Sequence, residues 1–342
     1  MDNILKEFTN EMESLVDYIE YHTEAYKLVN TSKSSTSQQN GKLSIAKLKK
    51  YNFNAYIISL YGEFEHFIEQ IKLEYLSKIC LIIKSFKDLP EPIQETNLQK
   101  TLDILKNSNY KKFRNIYIKE VVKILHNNIN NDHSNLNQDV FKNHTANFKI
   151  SIISKYFSEV GINDFKKRII KYDPLKSTVT ISNDNLQKIS DNFFYKIDHI
   201  CDIRNDIAHG NRNIELLDRS ILIDYIKFFK YFSETLYALL YDNYLSILFE
   251  YNGSELEPIE VYRNKILACN TKNNIIDKKC KLLVKRNNKE FPKYFILDII
   301  NIEHNRISLN STEKYKNIDI GIEVRSRINK KMKFKLIKEF KD

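Results

Sequence analysis

Ile203-Arg204-Asn205-Asp206-Ile207-Ala208-His209-Gly210 is the stretch whose reading decides the fold. Ten Arg and eight His in 342 residues make a bare Arg-to-His spacing a weak signal. Its setting is more informative. Gly210 stands where glycine ends helices, and Asp184 is a good N-cap for a helix running to about Ala208. On an ideal helix His209 lies about 140° from Arg204, so the two do not share a face. Asn205 and His209, four apart, do.

Around this stretch the chain reads as long helices. Leu5, Phe8, Met12, Leu15, Ile19, His22 and Tyr26 recur at three- and four-residue steps and predict a helix over 3–29. A polar loop follows at 30–41, then a helix over about 43–84 whose stripe is Ile57, Leu60, Phe64, Phe67 and Ile71. Pro90 and Pro92 close that region. Shorter helices are expected at 94–106, 110–126 and 149–170, with an Asn-rich loop at 127–147. His126, His133 and His144 lie in or near that loop and read as solvated. Residues 176–182 (KSTVTIS) are β-prone. A strongly apolar helix is expected at about 216–250. Only six Gly and five Pro interrupt the chain, which favours such long helices.

After Gly253 the period changes to two. Ile318, Ile320, Ile322 and Val324 alternate with Asp319, Gly321 and Glu323, and 330–337 alternates through Met332, Phe334 and Leu336 against lysines. Further short β-like runs are 266–268, 280–285 and 294–300. Together they predict a small antiparallel β domain. The fold class is therefore α+β: an all-α domain at 1–252, with core helices 43–84 and 184–250, followed by a basic β-rich domain at 253–342.

Charge follows the same division. From Glu260 onward there are 21 Lys+Arg against 10 Asp+Glu, whereas the whole chain holds 54 against 44. A basic module prefers polyanions, nucleic acid above all. Its Lys293, Arg325, Arg327, Lys330 and Lys331 interleave with Tyr294, Phe295 and Phe334, a pattern that RNA binding uses. Arg212, just past the motif, joins them as a candidate RNA contact.

Other classes lack support. Walker-type loops, dinucleotide glycine fingerprints and Gly-x-Ser-x-Gly are missing. His199 with Asp198 and Asp202 makes at most a fragment of a metal site, so neither metal nor cofactor is expected. Cys80, Cys201, Cys269 and Cys280 include no Cys-x-x-Cys pair and read as small apolar residues in a reducing, cytoplasmic setting. No apolar run reaches 18 residues, so neither a signal peptide nor a membrane span is expected.

The run 203–210 resembles the R-x4-6-H motif of HEPN superfamily nucleases, in the form with Asn after Arg and Gly after His. Leu60-Tyr61-Gly62-Glu63-Phe64-Glu65-His66-Phe67-Ile68 is similar to the early helix of HEPN-like defence proteins. The resemblance spans 43–250 and leaves the C-terminal domain without a relative. It implies a helical-bundle HEPN domain and an endoribonuclease that leaves a 2′,3′-cyclic phosphate and a 5′-hydroxyl. It also implies a homodimer whose two motifs line one groove, and a role in phage defence or as a toxin.

The residue types suit the chemistry. Histidine titrates near neutrality and can act as base or acid. Arginine stays charged and forks two donors onto phosphate. Arg204 and His209 are thus the catalytic candidates, with Asn205 to orient His209 or touch phosphate. Glu65, a carboxylate beside the apolar stripe of Ile58, Tyr61 and Ile68, needs a partner, and the resemblance gives it Arg204 or a neighbour. Dimerisation would bring Arg204 and His209 of different chains to one phosphate. A non-catalytic RNA- or nucleotide-binding module, or an interaction subunit of a defence complex, is the alternative. An antitoxin or defence-complex protein is the further partner implied. Some HEPN toxins carry a modified Tyr two residues after the motif His. Here Asn211 stands there, which speaks against that mode of inhibition.

Overall fold

The structure, a computed structural model, describes residues 1–31, 45–110, 116–130, 135–144, 146–178, 193–211, 214–315 and 317–338. The fold is α+β. Contacts divide the chain into two compact units, Met1–Cys80 with Lys84–Tyr237 and Leu81–Ile83 with Ala238–Asp342.

The first unit is helical. α1 (Asp2–Thr31) buries Phe8, Met12, Leu15 and Ile19, the stripe its spacing predicts. α2 (Ile45–Ile82) is buried on more than one side, as a central helix must be. Its Phe64 ring lies 4.6 Å from Phe229 and 5.7 Å from Phe232. Those two residues sit on α10 (Arg219–Tyr251), the expected apolar helix.

Between these helices the short elements differ from expectation. α3 (Glu91–Lys106) starts three residues early, because Pro92 falls in the first turn, where its missing N–H costs nothing. α4 (Ile118–Ile129) lies later than the expected 110–126. The Asn-rich loop contains α5 (Gln138–Lys142), capped by Asn137, whose side chain accepts the Asp139 N–H at 3.0 Å. The helix expected over 149–170 breaks into α6 (Ile150–Ser158) and α7 (Phe165–Ile169). Gly161 adopts φ 85° there, and the Ile162 N–H returns to the Phe157 carbonyl at 3.1 Å, a helix-ending motif that favours glycine. The β-prone run 176–182 begins instead inside a helical turn, α8 (Leu175–Thr178), and its remaining residues lie outside the described ones. So does Asp184, and the helix expected to follow it is seen as α9 (Tyr195–Ala208).

A buried charge cluster ties α2, α3 and α6 together. Lys72 is 0% exposed. Its Nζ lies 2.6 Å from the Glu159 carboxylate, donates to the Phe141 carbonyl at 3.3 Å, and sits 3.4 Å from the Tyr156 ring centroid. Lys100 donates to the same Glu159 oxygen at 2.7 Å. Burial pushes the Lys72 amine down to about 7, while Glu159 pulls it back up.

The second unit holds an antiparallel sheet: β1 (Ser254–Leu256), β2 (Pro258–Tyr262), β3 (Ile266–Asn270), β4 (Lys281–Lys285), β5 (Tyr294–His304), β6 (Ile307–Leu309), β7 (Asp319–Val324) and β8 (Lys333–Ile337). The order is β1-β8-β4-β5-β7-β3-β2, with β6 beside β5. β5 is long enough to pair β4 with its first half and β7 with its second. Only Glu257 separates β1 from β2, so the two ends of the order are neighbours in the chain and the sheet curls round a core that includes Leu267, Leu282, Ile302, Ile322, Val324 and Phe334. The period-two runs land in strands as expected, β1 and β6 are three-residue strands that their shortness hid, and β2, which opens on Pro258, is a further strand the spacing did not indicate.

Two substitutions separate the roles in the buried cluster. Glu159→Gln leaves two amines without their counter-charge and should cost about 3 kcal/mol or more in denaturant unfolding. Lys72→Met keeps the Lys100–Glu159 pair and fills the same space, so it should be near neutral or stabilising.

Candidate functional site

α9 is anchored by buried Ile197, Ile200, Cys201 and Ile203. Its acidic residues have structural work. Asp198 accepts the Ile150 N–H at 2.7 Å, capping α6, and Asp202 pairs with Lys149 at 2.6 Å. His199 meets the Tyr225 hydroxyl at 2.9 Å. Among the described residues no group of three or more His, Cys, Asp or Glu comes together as a metal site would need.

Arg204 lies half-buried with its guanidinium 5.1 Å from the Tyr61 ring centroid, a cation–π distance. Its Nη1 donates to Asn205 Oδ1 at 3.3 Å. The same oxygen accepts from Asn147 Nδ2 at 2.6 Å, and Asn205 Nδ2 lies 3.9 Å from Cys201 Sγ. The Asn205 side chain therefore engages Arg204 and Asn147. His209 caps α9: its backbone N–H returns to the Asn205 carbonyl at 2.9 Å, and Gly210 follows at φ 72°. Its ring is exposed and has no hydrogen bond among the described residues. The structure thus brings Arg204 and Asn205 together and leaves the imidazole of His209 at the open end of the helix.

Tyr61 connects this helix to α2. Its hydroxyl accepts the Phe148 N–H at 2.8 Å and donates to Glu65 at 3.4 Å. Glu65 meets Tyr61 and His144 (3.9 Å) rather than Arg204 among the described residues. Its link to the arginine runs through the phenol. Lys293, Arg325, Arg327, Lys330 and Lys331 belong to the second unit, on the loops after β4 and β7. Arg212 and His133 lie outside the described residues.

The profile of the RiboL-PSP-HEPN family matches residues 7–242, more than half of the chain. The chain belongs to this HEPN family. No curated protein and no solved structure matches it. HEPN membership points to an RNase-like or RNA-related module. No described helix is long and apolar enough to cross a membrane.

Around the HEPN motif the structure adds residues that the sequence did not single out. His144, expected to be solvated, stacks 4.2 Å from the Phe148 ring, and its Nε2 lies 3.1 Å from Glu69. Its Nδ1 faces the Ala146 carbonyl at 2.9 Å. Phe148 and His144 pack against α2, where Tyr61 accepts the Phe148 N–H and Glu69 meets the imidazole. The hydrogen bond to Glu69 holds the imidazole above its ordinary value. Burial opposes this, and the Ala146 carbonyl and Glu65 assist it. Burial would raise the Glu69 carboxyl, but His144 and Lys142 (3.4 Å) outweigh it and hold it low. Tyr61, Glu65 and Glu69 recur at four-residue steps, a signal that helical spacing carries. His144 and Asn147 sit in a polar loop and carry none.

The sign for His144 follows. Its folded pKa is raised above 6.5, so the protonated form stabilises the fold below that value, and this contribution is lost as pH rises through the folded pKa. Unfolding stability measured across that window should fall more steeply in the native chain than in His144→Gln, and the two curves should converge at the alkaline end.

Proposed function

We propose that this chain is a metal-independent endoribonuclease, with Arg204 and His209 as its catalytic residues and two copies of the chain completing each site. A HEPN domain at 1–252 would do the cutting, and the basic β-rich domain at 253–342 would serve it by holding RNA or a regulator. The observation that carries the reading is the supported arginine. A guanidinium stacked on Tyr61 and braced by Asn205 is oriented in advance of any ligand, and His209 stands exposed at the end of the same helix.

The chemistry needs little else. The 2′-oxygen attacks phosphorus as a base takes its proton, the bond to the 5′-oxygen breaks, and an acid protonates the leaving oxygen. The products are a 2′,3′-cyclic phosphate and a 5′-hydroxyl. His209 is suited to one of the proton transfers, and Arg204 to the charge that builds on the phosphorane oxygens. Asn205 positions Arg204 and is the motif's third member. Glu65 acts from behind, through Tyr61. The angle of about 140° between Arg204 and His209 favours a groove shared by two protomers over a site on one helix face. A role in defence, as a toxin or under the control of an inhibitory partner protein follows from the family resemblance, and the cysteine pattern adds a reducing, cytoplasmic setting.

A labelled single-stranded RNA incubated with the protein in EDTA should be cut. Arg204→Ala and His209→Ala should each lower the rate by about 10²-fold or more. Mixing the two inactive variants should restore part of the activity through mixed dimers. Tight binding of intact RNA by the native chain would instead favour a non-catalytic binding module, a reading consistent with the His209 ring having no orienting bond among the described residues.

A further inference from the structure

Three loops of the second unit meet at one end of its sheet. Residues 263–265 join β2 to β3, residues 286–293 join β4 to β5, and residues 325–332 join β7 to β8. The strand register places them together: Tyr262 pairs Ile266, Glu323 pairs Ile266, and Lys285 pairs both Tyr294 and Lys333. Hydrogen bonds knit them. The Ile328 N–H donates to the Asn264 carbonyl at 2.9 Å, the Val324 N–H to the Lys265 carbonyl at 3.0 Å, and the Asn287 side chain to the Lys331 carbonyl.

The charge gathered there is extreme. The first loop holds Arg263 and Lys265, the second Arg286, Lys289 and Lys293, and the third Arg325, Arg327, Lys330 and Lys331. Against these nine cations stands one loop carboxylate, Glu290. The loops at the other end of the sheet, 271–280, 304–306 and 310–318, hold six cations and two carboxylates, so the basic character is concentrated at the first end. Among the described residues only Lys330 of the nine forms an ion pair, with Glu260 at 3.1 Å. Lys285 and Lys333 stand directly opposite each other on β4 and β8, an arrangement of like charges that costs folding stability.

Aromatic rings are set among these cations. Tyr262 is 56% exposed at the end of β2. Arg286 lies 4.8 Å from the Phe295 ring centroid, and Lys293 lies 5.3 Å from that of Phe291. A surface that only attracted acidic proteins would need the charge and not the rings. Cations that track a backbone, alternating with rings on which bases stack, are what a single-stranded nucleic acid requires.

We propose that this three-loop rim is a binding site for single-stranded nucleic acid, with Arg263, Arg286, Lys289, Arg325 and Arg327 on phosphates and Tyr262 as a stacking platform. The site goes beyond the cleavage reading and stands without it, because binding can be measured whether or not the strand is cut.

The test uses the full-length chain carrying His209→Ala, so that binding is read alone. Lys289→Gln, Arg325→Gln, Arg327→Gln and Lys331→Gln are combined in a rim variant. Lys272→Gln, Lys278→Gln, Lys279→Gln and Lys314→Gln are combined in a control at the opposite end. All eight side chains are exposed, so both variants should melt like the parent. The probes are a labelled single-stranded RNA of about 20 nucleotides, the matching DNA strand, the RNA duplex and polyglutamate. The rim variant should lose tenfold or more in affinity for the single strand, with a salt slope shallower by about 3. The control should stay within about twofold. Tyr262→Ala should weaken the single strand by about fivefold or more and leave the duplex unchanged. Comparing the RNA and DNA strands tells whether the 2′-hydroxyl is read. Equal losses in the rim and control variants would overturn the proposal. Polyglutamate binding as tightly as RNA, with no effect of Tyr262→Ala, would overturn it too and assign the rim to an acidic protein.

Discussion

The packing of Phe64 against Phe229 and Phe232 is the contact on which the helical unit depends. It is a T-shaped arrangement at the centre of the core, and it fixes the rotation of α2 about its own axis. Once Phe64 is set, every other residue of that helix has its direction. Tyr61, Glu65 and Glu69 fall on one stripe, about 60° to 140° around from Phe64. That stripe meets the segment from Phe141 to Glu159, and through Tyr61 it reaches Arg204. A core contact between phenylalanines thus decides where Arg204 lies.

The polar stripe is tolerable because its charges are matched. Glu69 has His144 and Lys142, and the buried Lys72 shares Glu159 with Lys100. Each unmatched charge at such depth would cost several kcal/mol. The arrangement attaches the loop around Phe148 to two helices: the Phe148 N–H on Tyr61 and His144 on Glu69 of α2, and the Asn143 carbonyl on Lys100 of α3 at 3.0 Å. The same loop supplies Asn147 to Asn205. Asn147 thereby links those attachments to the motif, and Arg204 has no carboxylate as a direct partner among the described residues. The ring of Tyr61 supports the cation while its Nη1 bonds Asn205.

The β unit manages charge differently. Its strands must alternate, with one face in the core, so lysines and arginines can gather without limit only in the turns. Strand register, not sequence proximity, brings residues 263–265, 286–293 and 325–332 to one end. Nine cations are in this way focused on one end of the sheet.

The sequence by itself determined the long helices, five of the eight strands, the α+β class and the helix end at the motif. Each of these rests on a local property: a period of 3.6 or 2, or a glycine free to adopt positive φ at position 210. It also placed Arg204, Asn205 and His209, because a motif is a local string, and Glu65, because a carboxylate beside an apolar stripe is visible in the spacing. Only the tertiary structure decided which groups meet. It broke the helix expected over 149–170 at Gly161. It gave Asn205 to Arg204 and Asn147, and set Tyr61 between Arg204 and Glu65. It drew His144 out of a loop that reads as solvated. The contacts of Asn205 with Asn147, Tyr61 with Arg204 and His144 with Glu69 join residues tens of positions apart, and the loop residues among them belong to no period. Nothing in a one-dimensional pattern can record a contact whose only cause is that two distant backbones pack against the same helix.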